Sequence, residues 1–311
     1  MKQAVLIGRG YWGKILQKYI PQYFVLRGVF GSDVAREDLV KILQEVDVAF
    51  IATPLCAHFD CASLALEHHC DVFLEKPSVR NKEEFYTLLN LAKKHNKILF
   101  TDYIYTFSRS ITYVLNLLKT HPSPIRSLYA NIAQYGNFYP NESVLEVIGV
   151  HYLSVFALMQ EMQLLQELCV KKCTFLDEKS QSATLELSAQ ANHIVEDKIK
   201  ENKEEIRAQL DCSLLDHTKK RILRIQTEDF TLSIDMLASM PLTIHTHSAK
   251  SNLHTHILPL FDETNNLTLA LESFQNMGEN PQAYTAHLRL CEVILGLLTH
   301  AHDVSYNAKT K

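Results

Sequence analysis

The strongest indication of the fold is a short segment near the start of the chain, Ala4-Val5-Leu6-Ile7-Gly8-Arg9-Gly10-Tyr11-Trp12-Gly13. A short apolar run leads into a glycine-rich turn and then into an amphipathic segment, which predicts a strand, a tight turn and a helix. In this G-x-G-x-x-G spacing the first glycine permits the turn, the second lets the backbone approach a phosphate, and the third lets the helix pack closely on the strand. The N–H groups at the start of the helix then face the anion.

Composition and position favour a pyrophosphate-binding turn over a purely structural one. The chain has only 9 glycines, and this spacing follows directly on an apolar run, as dinucleotide binding requires. The residues that we predict to contact a dinucleotide here are Gly8, Arg9, Gly10, Tyr11, Trp12 and Gly13.

The bulk composition is that of an ordinary globular protein. The chain has 311 residues, of which 47% are hydrophobic and 21% charged, with a net charge of -4. This length predicts two domains with a ligand cleft between them. The balance of charge indicates no nucleic-acid partner, and the apolar runs are too short to span a membrane. Met1-Lys2 leads straight into the first predicted strand, so we expect no signal peptide and a cytoplasmic location.

Cysteines and histidines raise the question of disulfides and metals. Seven cysteines without C-x-x-C spacing predict reduced thiols. His245-Thr246-His247 and His254-Thr255-His256 are two H-x-H pairs, each of which would lie on one face of a strand. A metal site needs such faces to converge, and we expect a solvated or interface surface and no metal.

The first 120 or so residues alternate apolar runs with amphipathic stretches, a pattern that predicts βαβ units and a parallel sheet. The predicted strands are residues 3–7, 24–30, 46–52, 71–74 and 98–101, and the predicted helices are 12–19, 36–44, 59–68, 82–95 and 110–119. His121-Pro122-Ser123-Pro124 marks the domain boundary. We therefore expect an α/β protein with an N-terminal, doubly wound Rossmann domain over residues 1–121 and a second domain over 122–311.

Strand-like segments without intervening helices dominate the second domain. A long helix over 144–160 is predicted, and the predicted strands are residues 127–135, 183–189, 205–214, 220–226, 230–233 and 242–247, with helices at 267–276 and 283–299. Consecutive strands predict an antiparallel or mixed sheet, so this domain is expected to be α+β. The charge-rich run 196–205 predicts an exposed loop or hairpin.

Further motifs in the same order identify a family. Ala52-Thr53-Pro54, then His58, then Glu75-Lys76-Pro77, and later Gly149-Val150-His151 follow the glycine turn. With these motifs the chain resembles the Gfo/Idh/MocA oxidoreductases over essentially its whole length, and it looks closest to their sugar-nucleotide dehydrogenase branch, in which a serine often stands at the position of Ser154. The resemblance implies a C-terminal domain with a large open, mostly antiparallel sheet that commonly forms homodimers or homotetramers.

The resemblance also implies roles for individual residues. Lys76 and His151 would be the catalytic acid–base pair, with a cis peptide bond between Lys76 and Pro77. Glu75, Thr53, Pro54 and His58 would belong to the cofactor-binding loops, together with Lys76. The acidic residues that the family often carries around the histidine are absent here, since the positions are occupied by Val147, Tyr152 and Ser154.

Cofactor choice depends on the end of the second strand, where an acidic residue would bind the ribose 2′-OH of NAD. Gly31 stands at that position, and Ser32 could contact a 2′-phosphate, which favours NADP. Arg9 could approach the same phosphate. Asp33 could still bind the ribose, so NAD stays an alternative.

The function that we predict is NAD(P)-dependent interconversion of a secondary alcohol and a ketone on a sugar, sugar nucleotide or related polyol. Tyr103, Gln134 and Tyr135 are candidate substrate contacts, and for Tyr103 packing is an equal alternative. Two rival hypotheses are a catalytically weakened cofactor-binding sensor or subunit, suggested by the absent acids, and a reductase of a non-sugar substrate.

Overall fold

The chain forms two compact units, neither of which is continuous in sequence. The computed structural model describes residues 1–120, 123–139, 141–195, 198–247 and 266–309. The first unit comprises Met1–Ile104 and Leu267–Gly296, and the second comprises Tyr105–Asn266 and Leu297–Lys311. The predicted domain division after residue 121 stays a prediction.

A five-stranded parallel sheet forms the centre of the first unit. Its strands are β1 (Gln3–Ile7), β2 (Val25–Phe30), β3 (Val48–Ile51), β4 (Asp71–Glu75) and β5 (Leu99–Asp102), and its helices are α1 (Tyr11–Tyr19), α2 (Arg36–Leu43), α3 (His58–Glu67) and α4 (Lys82–His95). The strand order is β2-β1-β3-β4-β5, and all neighbours are parallel. The predicted doubly wound Rossmann sheet is confirmed.

The core of this sheet explains why its central strands are apolar throughout. Every residue of β3 and β4 is buried, as expected for strands covered on both faces. Phe50, Phe73 and Phe100 form a row across three neighbouring strands, and the Phe274 ring lies 5.5 to 5.9 Å from each of them, centroid to centroid. Phe274 comes from α7 (Asn266–Asn276), so a helix from the end of the chain completes this core.

β5 is an edge strand of the sheet, and side chains from α8 (Pro281–Lys309) cover its free edge. The Leu99 N–H donates to the Tyr284 hydroxyl, and the Thr101 N–H donates to His287 Nε2, both at 3.0 Å. Since Nε2 accepts a hydrogen bond, His287 is neutral, and its burial lowers its pKa to about 4. These bonds satisfy edge N–H groups that would otherwise be buried without partners.

The second unit contains a seven-stranded sheet. Its elements are α5 (Arg109–Thr120), β6 (Ile125–Tyr135), α6 (Val150–Glu161), β7 (Leu165–Phe175), β8 (Ser182–Val195), β9 (Lys198–Ser213), β10 (Leu215–Thr227), β11 (Phe230–Asp235), β12 (Leu242–Thr246) and the end of α8. The strand order is β12-β11-β10-β6-β9-β8-β7. All neighbours are antiparallel except β6 and β9, which confirms the mostly antiparallel sheet.

Two details differ from the sequence prediction. Strand β7 was not predicted, because two register shifts interrupt its pairing with β8 and Glu167 has a positive φ of 50°, so the polar–apolar alternation is lost. Strand β9 begins at Lys198, so most of the run 196–205 is strand, and the hairpin alternative is correct.

The described residues also bear on membranes, thiols and metals. No helix among them is long and apolar enough to cross a membrane. All seven cysteines are free thiols, as predicted. Within the same ranges, no group of three or more His, Cys, Asp or Glu side chains could hold a metal ion. His247 Nε2 lies 2.7 Å from the Thr231 hydroxyl, and His254-Thr255-His256 lies outside the described residues.

Candidate active site

The predicted motifs of the first unit meet at one edge of its sheet. Phe30, Ile7, Ile51, Leu74 and Thr101 are aligned in register across the five strands. The residues that follow each of them are Gly31, Gly8, Ala52, Glu75 and Asp102. The glycine turn, the Thr53-Pro54 loop and Lys76 therefore all leave the carboxyl edge of the parallel sheet, where ligands bind in doubly wound folds.

The glycine turn is built as an anion cradle. Gly8 has a φ of +127°, and a Cβ there would lie 2.2 Å from the Ala52 carbonyl oxygen. A Cβ on Gly13 would lie 2.1 Å from the Gly8 carbonyl oxygen, so the close approach of helix to strand requires glycine. A Cβ on Gly10 would meet no described atom within 4 Å, which leaves space for a ligand.

The start of α1 has the charge distribution that a phosphate needs. Gly10 is the N-cap, no side chain caps the helix, and no acidic residue occupies the first turn. The N–H groups of that turn are thus available to an anion. Tyr11 is exposed and Trp12 half-buried beside it, with their rings edge to face at 5.8 Å. The residues of this turn fit a dinucleotide pyrophosphate.

Arg9 and Asp33 form an ion pair over Gly31. Arg9 Nη1 donates to both carboxylate oxygens of Asp33 at 2.9 Å, and Nη2 donates to the Val29 carbonyl at 3.2 Å. A backbone hydrogen bond of Asp33 and the Arg9 guanidinium lower the pKa of the carboxyl. A Cβ on Gly31 would lie 2.7 Å from Asp33 Oδ1, so glycine makes room for this pair, while Ser32 is exposed. This ion pair was not predicted from the sequence.

His58 connects the two loops on either side of it. Its Nε2 lies 3.0 Å from the Thr53 carbonyl oxygen, and its Nδ1 lies 3.0 Å from that of Pro77. The side chain is 1% exposed, and burial lowers its pKa, although the carbonyl groups of Thr53, Pro77 and Ser78 oppose the shift. His58 thus holds the loop that begins with Thr53-Pro54 against the one that follows Lys76.

Lys76 is half-buried directly after β4, and its charge acts on two buried acids. The Lys76–Pro77 peptide bond is cis, as the resemblance implied. Glu75 is 6% exposed, and Asp102, its register partner on β5, is 2% exposed. The importance of Asp102 was missed, although a carboxylate at the end of the apolar run Leu99-Phe100-Thr101 was a signal that could have identified it.

His151 lies in the second unit, at the start of α6. A π-helical turn, Leu145–Gly149, leads into this helix. The half-buried His151 imidazole stacks on the Tyr105 ring at 4.5 Å with an interplanar angle of 19°. Ser154, fully buried, donates its hydroxyl to the His151 carbonyl at 2.6 Å. The aromatic stack fixes the plane of the imidazole.

An acidic residue does occur near His151, but its carboxylate is engaged elsewhere. Glu146, in the π-helical turn, accepts hydrogen bonds from the Ser143 backbone N–H and hydroxyl, and its other oxygen lies 2.5 Å from His302 Nε2. Burial opposes ionisation of Glu146, but His302 and Ser143 outweigh it and lower its pKa. The same contact raises the pKa of His302. Glu146 therefore secures the turn.

The three candidate substrate contacts differ in exposure. Tyr103 is 1% exposed and packs inside the first unit, as the packing alternative predicts. In the second unit, Gln134 accepts a hydrogen bond from the buried Arg221 guanidinium through its side-chain oxygen. Tyr135 is 60% exposed and stacks on the His217 ring at 4.4 Å. Gln134 and Tyr135 thus stand at the end of β6 with polar and aromatic surface available.

Comparison with known proteins identifies relatives with this fold. The sequence model of an oxidoreductase family with an NAD-binding Rossmann fold, GFO_IDH_MocA, matches residues 17–103. A UDP-N-acetylglucosamine 3-dehydrogenase of Acidithiobacillus ferrooxidans is 26% identical over 122 residues, which cover 35% of this chain and 39% of that protein. The chain spans only 13% and 39% of the lengths of the curated relatives that it matches.

Solved structures match almost the whole chain. That dehydrogenase superimposes with a TM-score of 0.74 at 20% identity, covering 96% of this chain and 99% of the other. A mutant 3-ketoreductase of Actinomadura kijaniata in complex with TDP-benzene and NADP has a TM-score of 0.72, at 14% identity and with 96% and 97% covered. An inositol dehydrogenase homolog of Azotobacter vinelandii, complexed with NADH and myo-inositol, has a TM-score of 0.70, at 15% identity and with 97% and 95% covered.

At these identities the structural likeness establishes the fold, and the family match adds the motifs of its Rossmann half. The two-sheet architecture agrees with the solved structures, which cover almost the whole chain. Over residues 17–103 the chain matches the Gfo/Idh/MocA oxidoreductase family, and over almost its whole length it has the fold of the solved oxidoreductases.

Proposed function

We propose that this protein is an NAD(P)-dependent oxidoreductase that interconverts a secondary alcohol and a ketone on a sugar nucleotide or a related carbohydrate. The observation that carries the proposal is the shared carboxyl edge of the first sheet. Gly8 and Glu75 occupy the same register row, so the phosphate cradle and Lys76 leave the sheet at the same level. A dinucleotide held by the cradle would bring its reactive ring to the edge that carries a cationic acid–base group.

The proposed roles follow from the chemistry of each side chain. The backbone of Gly8 to Gly13 binds pyrophosphate, and Lys76 exchanges the proton of the substrate hydroxyl. His151, in the second unit, is proposed as a second proton-carrying residue, because its imidazole can change charge near neutral pH. When bound, the nicotinamide supplies hydride chemistry at its ring carbon. His58 and the buried Glu75 are proposed to belong to the cofactor-binding loops, with Thr53 and Pro54.

The substrate class is supported by the relatives. One relative is a UDP-N-acetylglucosamine dehydrogenase, and another was solved with a TDP compound. Because the Gln134 oxygen is bonded to Arg221 and the Tyr135 ring stacks on His217, Gln134 would offer its amide N–H group and exposed Tyr135 its hydroxyl to a sugar nucleotide. We further propose, as in the family generally, a homodimer or homotetramer formed through the second sheet, and the predicted cytoplasmic location stays a prediction.

For the cofactor we propose a preference for NADP. Arg9 and exposed Ser32 lie at the end of β2, where a 2′-phosphate would bind. The Arg9–Asp33 pair is solvent-exposed, and such pairs contribute little, so the guanidinium can turn to a phosphate. In NAD binding, Asp33 would take the ribose hydroxyl instead.

One experiment tests the function. The purified protein is incubated with UDP- and TDP-sugars and with NAD or NADP, and reduced nicotinamide is followed by its absorbance. We expect turnover with at least one sugar nucleotide, faster with NADP. Binding of cofactor without turnover of any sugar nucleotide, inositol or free sugar would refute the proposal and favour the sensor hypothesis.

A further inference from the structure

Two acidic residues are neighbours at the carboxyl edge of the first sheet. Glu75 and Asp102 are register partners on the neighbouring parallel strands β4 and β5, so their side chains lie on the same face of the sheet. Two residues earlier on each strand, Phe73 and Phe100 stack on that face at 5.3 Å. The two carboxyl groups therefore lie beside the row of aromatic rings, on the side of the carboxyl edge.

The surroundings do not compensate two negative charges. Glu75 is 6% exposed and Asp102 is 2% exposed. Glu75 Oε1 and Asp102 Oδ1 are buried and have no hydrogen-bond partner among the residues that the structure describes. Since a buried carboxylate needs hydrogen bonds or an opposite charge, two adjacent ionised carboxylates here would be costly.

Lys76 is the cation that acts on both carboxyl groups. Burial raises the pKa of Glu75 to about 7, although the Lys76 charge and its backbone N–H oppose the shift. Burial and the charge of Glu75 raise the pKa of Asp102 well above its usual range, again opposed by Lys76. One ammonium can balance one carboxylate, so the second carboxyl group is favoured as the neutral acid.

We propose that Glu75 and Asp102 share one proton at neutral pH and that this carboxyl pair governs when Lys76 takes up and releases its proton. The second part rests on the proposed function of Lys76. The two carboxyl groups titrate as one pair, not as separate sites.

The pair also offers a source for the proton that ketone reduction consumes. As the substrate O–H bond forms, an N–H bond of the Lys76 ammonium breaks. The shared proton then moves to the Lys76 amine, so a carboxyl O–H bond breaks as the N–H bond re-forms. The net charge of the three groups is unchanged by this second transfer, but both carboxyl groups are then ionised, so the pair regains its shared proton from solvent before the next turnover.

Infrared spectroscopy of the substrate-free protein tests the shared proton. We expect the C=O stretching band of a protonated carboxyl group at pH 7, and we expect Glu75→Gln and Asp102→Asn each to abolish it. Asp71→Asn is the matched control, because Asp71 lies on the same strand and pairs with Lys2 at 2.7 Å. Absence of the band from the wild type would overturn the proposal without any variant, and so would a band that survives both substitutions or disappears in the control.

The pH profile of alcohol oxidation tests the link to Lys76. In the double variant E75Q/D102N the acidic limb should shift by about one pH unit to lower pH, because a lysine without nearby negative charge loses its proton more readily. Asp71→Asn should leave the profile in place. An unshifted profile in the double variant would overturn the link. The infrared measurement needs no turnover, so failure of the proposed function would be distinguished from failure of the shared proton.

Discussion

Buried acids at the carboxyl edge of the first unit and near the His151 helix of the second unit differ in how well their carboxyl groups are hydrogen-bonded. At the edge, Glu75 and Asp102 each have a buried oxygen without a hydrogen-bond partner among the described residues. At the helix, Glu146 accepts hydrogen bonds from Ser143 and is paired with His302. A compensated carboxylate stabilises structure, whereas an under-compensated pair can change its protonation state. The difference supports the proposal that proton chemistry is concentrated in the first unit.

Lys76→Ala should have the largest effect on this comparison. Loss of a general acid–base group lowers kcat by about 10²–10⁴-fold, and the glycine turn should still bind cofactor. His151→Ala should cost at least about tenfold less, because general acid–base catalysis would rest mainly on Lys76. Steady-state kinetics and cofactor titration give both quantities, with exposed Lys94→Ala as the control. Equal losses of kcat in the two variants would refute the proposal that acid–base catalysis rests mainly on the first unit.

His287 tests whether the sheet beneath the edge depends on a neutral histidine. Its pKa is lowered to about 4, so the unfolded chain binds a proton between roughly pH 6.5 and 4 that the folded protein does not. Stability should therefore fall as pH falls through this window, by about 3 kcal/mol in total. His287→Leu should remove this component and destabilise the protein at pH 7 by about 1–3 kcal/mol, because the Thr101 N–H loses its acceptor.

The measurement is urea denaturation of wild type and variant between pH 4 and 7. The difference between their free energies of unfolding should shrink toward acidic pH. A constant difference would show that the pKa of His287 is the same in the folded and unfolded states, and would contradict the buried, neutral imidazole.

Arg9→Ala examines the cofactor end of the edge. The proposal of NADP predicts a Kd for NADP about tenfold higher, equivalent to about 1.4 kcal/mol, with little change for NAD. Asp33→Asn should act in the other direction and strengthen NADP binding by releasing Arg9 from its ion pair. Fluorescence titration measures both affinities, and tight NAD binding by the wild type with negligible NADP binding would contradict the preference.

Substitution of His302 tests the second unit and should have the smallest effect on stability. Its pH dependence should be opposite in sign to that of His287. Its pKa is raised by Glu146, so its contribution to stability is present below the unfolded pKa of about 6.5 and is lost as pH rises through the folded value. The side chain is 40% exposed, so solvent screening limits the effect of His302→Gln to about 1 kcal/mol. Thermal unfolding at pH 6 and pH 9 should show a larger destabilisation at pH 6, and the reverse order would contradict the ion pair.

Most of the first unit could be predicted from the sequence because its signals are local. The glycines at 8 and 13 are required by backbone conformation and close approach, which depend on neighbours in sequence and on one adjacent strand. All five parallel strands follow from apolar runs. Strand β7 could not be predicted, because its register shifts remove the alternation that identifies a strand.

The glycine turn, the short parallel strands and the position of Lys76 at a strand end could all be predicted from the sequence. Only the tertiary structure decided which charges these residues meet. Register across β4 and β5 brings Asp102 to Glu75, the return of α8 brings His287 to β5 and His302 to Glu146, and the turn after β2 brings Asp33 to Arg9. These partners are 24 to 186 residues apart, or on separate strands, and electrostatic coupling depends on distance in space and on burial, neither of which is encoded in local spacing.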